Sequence, residues 1–81
     1  MTVSVVAFAR LRELLGFSQR SVALPDAATV DDAWSAIATG TPAVAALRAS
    51  TRIACNGAIA RGDRALHDGD ELSLLPPAGG G

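Results

Sequence analysis

One segment of this 81-residue chain carries an apolar stripe long enough to lie across a sheet. Val30, Ala33, Trp34, Ile37 and Ala38 fall at i, i+3, i+4, i+7 and i+8, the spacing that lines a single face of a helix. Thr29 stands where its hydroxyl can accept from the free N–H groups of the first turn, and Asp31 and Asp32 put negative charge at the positive end of the helix dipole. Gly40 and Pro42 stop it. A helix of this kind cannot cover its own apolar face, so the rest of the chain has to supply the second layer.

That layer reads as strands. Residues Thr2 to Phe8 alternate, with Val3, Val5 and Ala7 on one face and Thr2, Ser4, Val6 and Phe8 on the other. Leu11, Leu14 and Leu15 predict a short helix closed by Gly16, and Gln19 to Leu24 predict a second strand ended by Pro25-Asp26. After the main helix, PAVAALRAS suits a further helical turn or two. Ile53 and Cys55 share a face of the next strand, Asn56-Gly57 is a two-residue hairpin signal, and Ile59 falls on the return. Asp68-Gly69 marks another turn before a last strand, Glu71 to Leu75, with Leu72 and Leu74 inward and Glu71, Ser73 and Leu75 outward. This order predicts an α+β domain of the β-grasp kind, residues 1–75, with one main helix across a mixed sheet. Residues 76–81 are expected to form an extended, flexible Gly-rich tail.

Composition narrows the function. Leu, Val, Ile and Phe supply 20 residues, enough to fold but not to build an elaborate cleft as well. Net charge is −1, and the seven cations are all Arg, scattered along the chain. Nothing forms the basic stripe needed for nucleic acid or an anionic membrane. The absence of Lys argues against chains linked through their own side-chain amines. A lone Cys, no leader-like segment and no long apolar run predict a cytoplasmic protein.

The segment Pro76-Pro77-Ala78-Gly79-Gly80-Gly81 is the candidate for chemistry. Terminal glycines are often inert. Here, however, two prolines stiffen the base of the segment, and six extended residues reach roughly 20 Å, enough to enter another protein. Glycine lets backbone thread a narrow channel. A carboxylate is a poor electrophile until a leaving group is attached; adenylation with ATP supplies one, and displacement by sulfur gives a nucleophilic thiocarboxylate.

Four stretches, VVAFARLREL (5–14), the CNG turn (55–57), LHDGDEL (66–72) and LLPPAGGG (74–81), occur in an order and spacing that resemble the small subunit of molybdopterin synthase (MoaD) over essentially the whole chain. The resemblance implies a β-grasp fold and a sulfur carrier that binds no cofactor itself. It implies that Gly81, with Gly80 as its required neighbour, is activated by a ubiquitin-activating-like enzyme (MoeB-like) using ATP and Mg. A sulfur donor then loads it as a thiocarboxylate. The loaded tail would enter a large subunit (MoaE-like) and pass sulfur to a cyclic pyranopterin precursor. Phe8, Ile59 and Leu75 resemble the family's docking surface, with Pro76, Pro77, Ala78 and Gly79 joining the contact; ordinary core is the competing reading of Phe8. Ala78 and Gly79 depart from the family's β-branched and small residues at those positions, which should loosen the tail.

Other polar groups read as structural. Cys55 reads as a buried thiol, and His67-Asp68-Gly69-Asp70 as a solvated turn rather than a metal site, there being no second His. Arg10, Arg12 and Glu13 read as a solvated helix face. Trp34 reads as a core anchor. No phosphate loop or nucleophile–base pair is visible, so the chain is expected to have no catalysis of its own. The rival functions are a sulfur carrier of thiamin or cysteine synthesis, a ubiquitin-like modifier, and an interaction module with an inert tail.

Overall fold

The computed structural model describes residues 1–77. In chain order it contains β1 (Thr2–Ala7), α1 (Ala9–Leu15), β2 (Gln19–Ala23), α2 (Val30–Ala38), α3 (Pro42–Ala45), a 3₁₀ turn (Arg48–Ser50), β3 (Arg52–Cys55), β4 (Ala58–Ile59) and β5 (Glu71–Leu75). The strands form one mixed sheet in the order β2-β1-β5-β3-β4. Its middle is the parallel pair of β1 and β5, in register from Ser4↔Glu71 to Ala7↔Leu74, and every other pairing is antiparallel. This is the β-grasp arrangement that the sequence predicts.

Alternation decides which face is packed. Val3, Val5 and Ala7 from β1, Leu72 and Leu74 from β5, and Ile53 and Cys55 from β3 are all buried. On the helical side, Val30, Ala33, Trp34 and Ala38 of α2 join the same cluster, with Leu11 of α1 and Val44 of α3 completing it. Trp34 is the expected anchor, 5% exposed, with the Arg48 guanidinium 5.9 Å from its ring centre. Ile37, at the edge of the stripe, is only partly covered.

The helix signals act as read, with one addition. The Thr29 hydroxyl accepts from the Asp32 N–H at 3.2 Å, and the Asp32 carboxylate accepts from the Thr29 N–H at 2.8 Å. Asp32 therefore closes a reciprocal cap as well as supplying charge, while Asp31 pairs with Arg48 at 2.9 Å. Gly16 takes φ +81° at the end of α1. Two strands are one residue shorter than predicted. β1 ends at Ala7 because Phe8, still extended at φ −122° and ψ 153°, becomes the residue that starts α1. β2 ends at Ala23, although Leu24 still exchanges backbone bonds with Met1 at 2.8 and 2.9 Å.

The alternation in β5 and β4 has a direct stability consequence. Leu74 is 1% exposed and Ile59 59% exposed. Truncating Leu74 to Ala leaves a cavity and should lower the unfolding free energy by about 2–5 kcal/mol. Ile59→Ala should change it by less than about 1 kcal/mol. Urea unfolding of the two variants, with equal m-values, checks the assignment of faces.

Candidate functional site

The face of the sheet away from the helices carries the site. Strand alternation puts Ser4, Val6 and then Phe8 on it from β1, and Glu71, Ser73 and Leu75 from β5. Cross-strand register extends the row: Val6 is level with Ser73, Ser73 with Ala54, and Ala54 with Ile59. One row further on, Leu75 is level with Arg52, and Phe8 directly follows the Ala7↔Leu74 pair. Phe8 and Leu75 thus come together where β1 and β5 end, while Ile59 stands on the same face two strands from Leu75.

Phe8 is 45% exposed and Ile59 59% exposed, and no other large apolar side chain among the described residues is as open. The core reading of Phe8 is therefore wrong, and its physical cause lies one residue later. Ala9 adopts φ +49°, a left-handed conformation that a residue with a Cβ enters at a cost of about 1–2 kcal/mol. That sharp turn lets the Leu11 and Arg12 N–H groups bond to the Phe8 carbonyl at 3.1 and 3.3 Å and starts α1 with the Phe8 ring still on the outer face. Leu75 and Pro76 are half-buried, and Pro77 is exposed. Ser50, Arg52, Leu75, Pro76 and Pro77 line a groove of about 570 Å³ at the point where the chain leaves the sheet. Ala78, Gly79, Gly80 and Gly81 lie outside the described residues.

What holds the start of β5 in place, at the opposite end of the strand, is a polar clamp that sequence reading missed. Asn56 and Gly57 take φ +51° and +87°, the pair of left-handed residues that a tight hairpin requires. The Asn56 side chain then reaches across the sheet. Its Oδ1 accepts from the Glu71 N–H at 2.9 Å, its Nδ2 donates to Asp70 Oδ1 at 2.9 Å, and its backbone N–H donates to the Glu71 carbonyl at 2.8 Å. Asp70 Oδ2 accepts from the His67 N–H at 2.8 Å, and Asp68 Oδ1 accepts from the Thr2 N–H at 2.7 Å. The 67–70 turn forms as predicted, but Asp70 is not a solvated turn residue: it is 9% exposed, with both carboxylate oxygens engaged.

The electrostatics follow from that clamp. The Asn56 amide, helped by the His67 N–H, holds the Asp70 carboxyl below the usual carboxylate range. Burial pushes the Cys55 thiol up, and the nearby Asp70 carboxylate pushes it further, so Cys55 is the buried, protonated thiol the sequence predicts. Among the described residues no three His, Cys, Asp or Glu side chains gather as a metal site. Arg10 pairs with Glu13 at 3.5 Å on the open face of α1, a contact worth little. No helix among the described residues is long and apolar enough to cross a membrane.

The fold and site together define a β-grasp domain that shows an apolar face beside the base of a proline-led terminal segment. A sequence model of the ThiS family matches residues 5–81. A molybdopterin synthase sulfur carrier subunit from Chlamydomonas reinhardtii is 32% identical over 83 residues, with 100% of each chain covered. SAMP1, the small archaeal modifier protein 1 of Haloferax volcanii, is similar in structure at a TM-score of 0.88 and 30% identity, with 100% of both chains covered. A putative molybdopterin converting factor subunit 1 from Pyrococcus furiosus gives a TM-score of 0.86 at 30% identity over 96% of this chain and 99% of that one. The chain belongs to the ThiS family.

The clamp makes stability depend on pH. Because the folded Asp70 carboxyl lies below its unfolded value of about 3.9, its contribution is fully present above that value and disappears as pH falls through the folded one. Asp70→Ala should therefore cost about 2–3 kcal/mol at pH 7. The gap to wild type should close in acid, which thermal melts from pH 7 to pH 2 would measure.

Proposed function

We propose that this chain is the sulfur carrier subunit of a molybdopterin synthase, acting through the carboxylate of Gly81. An adenylating, ubiquitin-activating-like enzyme with Mg-ATP joins that carboxylate to AMP, and pyrophosphate leaves. Sulfide-level sulfur from a donor system then displaces AMP to give the thiocarboxylate. The loaded tail, residues 76–81, enters the large subunit, where its sulfur passes to a cyclic pyranopterin precursor. Gly80 keeps the last step of the backbone narrow, and the domain, residues 1–75, docks. The chain binds no cofactor of its own in this scheme, and it works in the cytoplasm, where Cys55 stays reduced.

The observation that carries the reading is the placement of Phe8 and Leu75. Both stand on the uncovered face at the point where the chain turns into Pro76-Pro77. An apolar patch there gives a partner a hold at the base of the very segment it would draw in. The name of the Chlamydomonas relative, aligned over the full length of both chains, supports the same pathway.

A modifier role is the second reading, favoured by the likeness to SAMP1. It uses the same adenylated Gly81 but ends in isopeptide bonds to lysines of other proteins. Carriers for thiamin or cysteine synthesis share the loading step and differ in the acceptor.

Intact mass after incubation with the adenylating enzyme, Mg-ATP and a sulfur donor tests the carrier role. The full chain should gain the mass of sulfur replacing oxygen, and a copy lacking Gly81 should not. If neither changes while a known carrier is loaded in the same preparation, the role is lost and an interaction module with an inert tail is left. Phe8→Arg should still fold yet weaken binding to the large subunit by about 30-fold or more, as removal of a central anchor does. Titration calorimetry would read that loss.

A further inference from the structure

We propose that Arg52 is a specificity-determining residue for activation, pairing with a carboxylate side chain that the adenylating enzyme presents to the groove at the base of the tail. This rests on the carrier reading above and names a contact that the apolar face alone does not supply.

Arg52 opens β3 and is exposed, since alternation with the buried Ile53 turns it to the outer face. Its partner across the sheet is Leu75, the last residue of β5. The groove therefore joins a cation, the docking face and the two prolines in one place. Four other arginines are already occupied: Arg10 pairs with Glu13, Arg48 with Asp31 and Arg61 with Asp63, while Arg20 lies over the Phe17 ring at 4.4 Å; Arg12 on α1 and Arg64 in the 61–65 loop do not line the groove. Among the described residues the Arg52 guanidinium has no ion pair or hydrogen bond, and the groove is lined by no acidic side chain.

A planar guanidinium without a partner, in a groove with apolar walls, is complementary to a carboxylate that can accept two parallel N–H bonds. The choice of the adenylating enzyme follows from how such contacts act. Charge pairs at an interface rim govern encounter rate, salt dependence and rejection of wrong partners more than final affinity. An activation step needs those properties, because the chain must be recognised, adenylated, loaded and let go. The contact proposed above for the large subunit rests instead on the apolar patch.

The test is ATP–pyrophosphate exchange by the adenylating enzyme of the same organism, with the full chain as substrate. Arg52→Glu should raise KM for the carrier by about tenfold or more with kcat little changed, Arg52→Lys should retain part of the effect, and Arg52→Ala should flatten the salt dependence of KM. Arg20→Glu makes the same charge change on β2, at the far edge of the sheet, and should move KM by less than about twofold. Near-identical melting curves of the Arg52 variants and wild type would show that the fold is intact. An unchanged KM for Arg52→Glu, or an equal rise for Arg20→Glu, overturns the role of Arg52 while the carrier reading stands. If wild type itself is not adenylated, the carrier reading fails and takes this inference with it.

Discussion

Everything that positions the site depends on the parallel pairing of β1 with β5, which brings the two ends of the described chain side by side in the middle of the sheet. Parallel neighbours cannot be joined by a tight turn, and here nearly the whole chain lies between them, so their register must be fixed by tertiary contacts. Packing fixes it on one face, where Val5 is level with Leu72 and Ala7 with Leu74, all four buried. A slip of one residue would turn Leu72 and Leu74 outward and Leu75 inward. Because the register holds, β1 and β5 run out together, and Phe8 and Leu75 emerge at the same end.

The polar clamp secures that register from the other end of β5. Asn56 lies in the hairpin on one side of β5 and Thr2 starts β1 on the other, and the 67–70 turn bonds to both. Each hydrogen bond contributes about 1 kcal/mol net, but their geometric effect is larger than their energy. They close the entrance to β5 at three points, which opposes sliding of the strand along its neighbours. The buried Asp70 carboxylate is tolerable there because both oxygens are satisfied and its charge draws on the Asn56 amide and the His67 N–H.

Local signals made the elements legible. The stripe from Val30 to Ala38, the cap at Thr29, the Asn56-Gly57 turn and the alternation of β5 each act within a few residues, and each appears as read, with strand ends differing by one residue. Phe8 was legible only in part, since alternation assigns its face but not whether that face is covered. Its exposure depends on the left-handed Ala9, and Ala carries no sequence mark for that conformation as Gly or Asn would. The Asn56–Asp70 contact was invisible for a different reason: both residues suit turns, and their bond spans 14 positions. Ala54 is 7% exposed on the outer face, because it is flanked on both sides, by Ser73 of β5 and Ile59 of β4, which composition alone does not say.

A domain this small can afford one core, and placing all of its helices on one face of the sheet leaves the other face bare by construction. Bare sheet is a hazard when it is broadly apolar, and here it is mostly not: Ser4, Ser73, Glu71 and Arg52 interrupt the apolar residues. Among the described residues the large exposed apolar side chains are Phe8 and Ile59, with Leu75 half-covered between them. Such a surface is small and divided, and its strongest point is next to Pro76. A partner that gains from covering Phe8 is at once aligned with the segment that follows Leu75. In the proposed carrier role, binding energy would thus be spent where it fixes the base of the tail, and the chemistry would be left to the enzymes that act on Gly81.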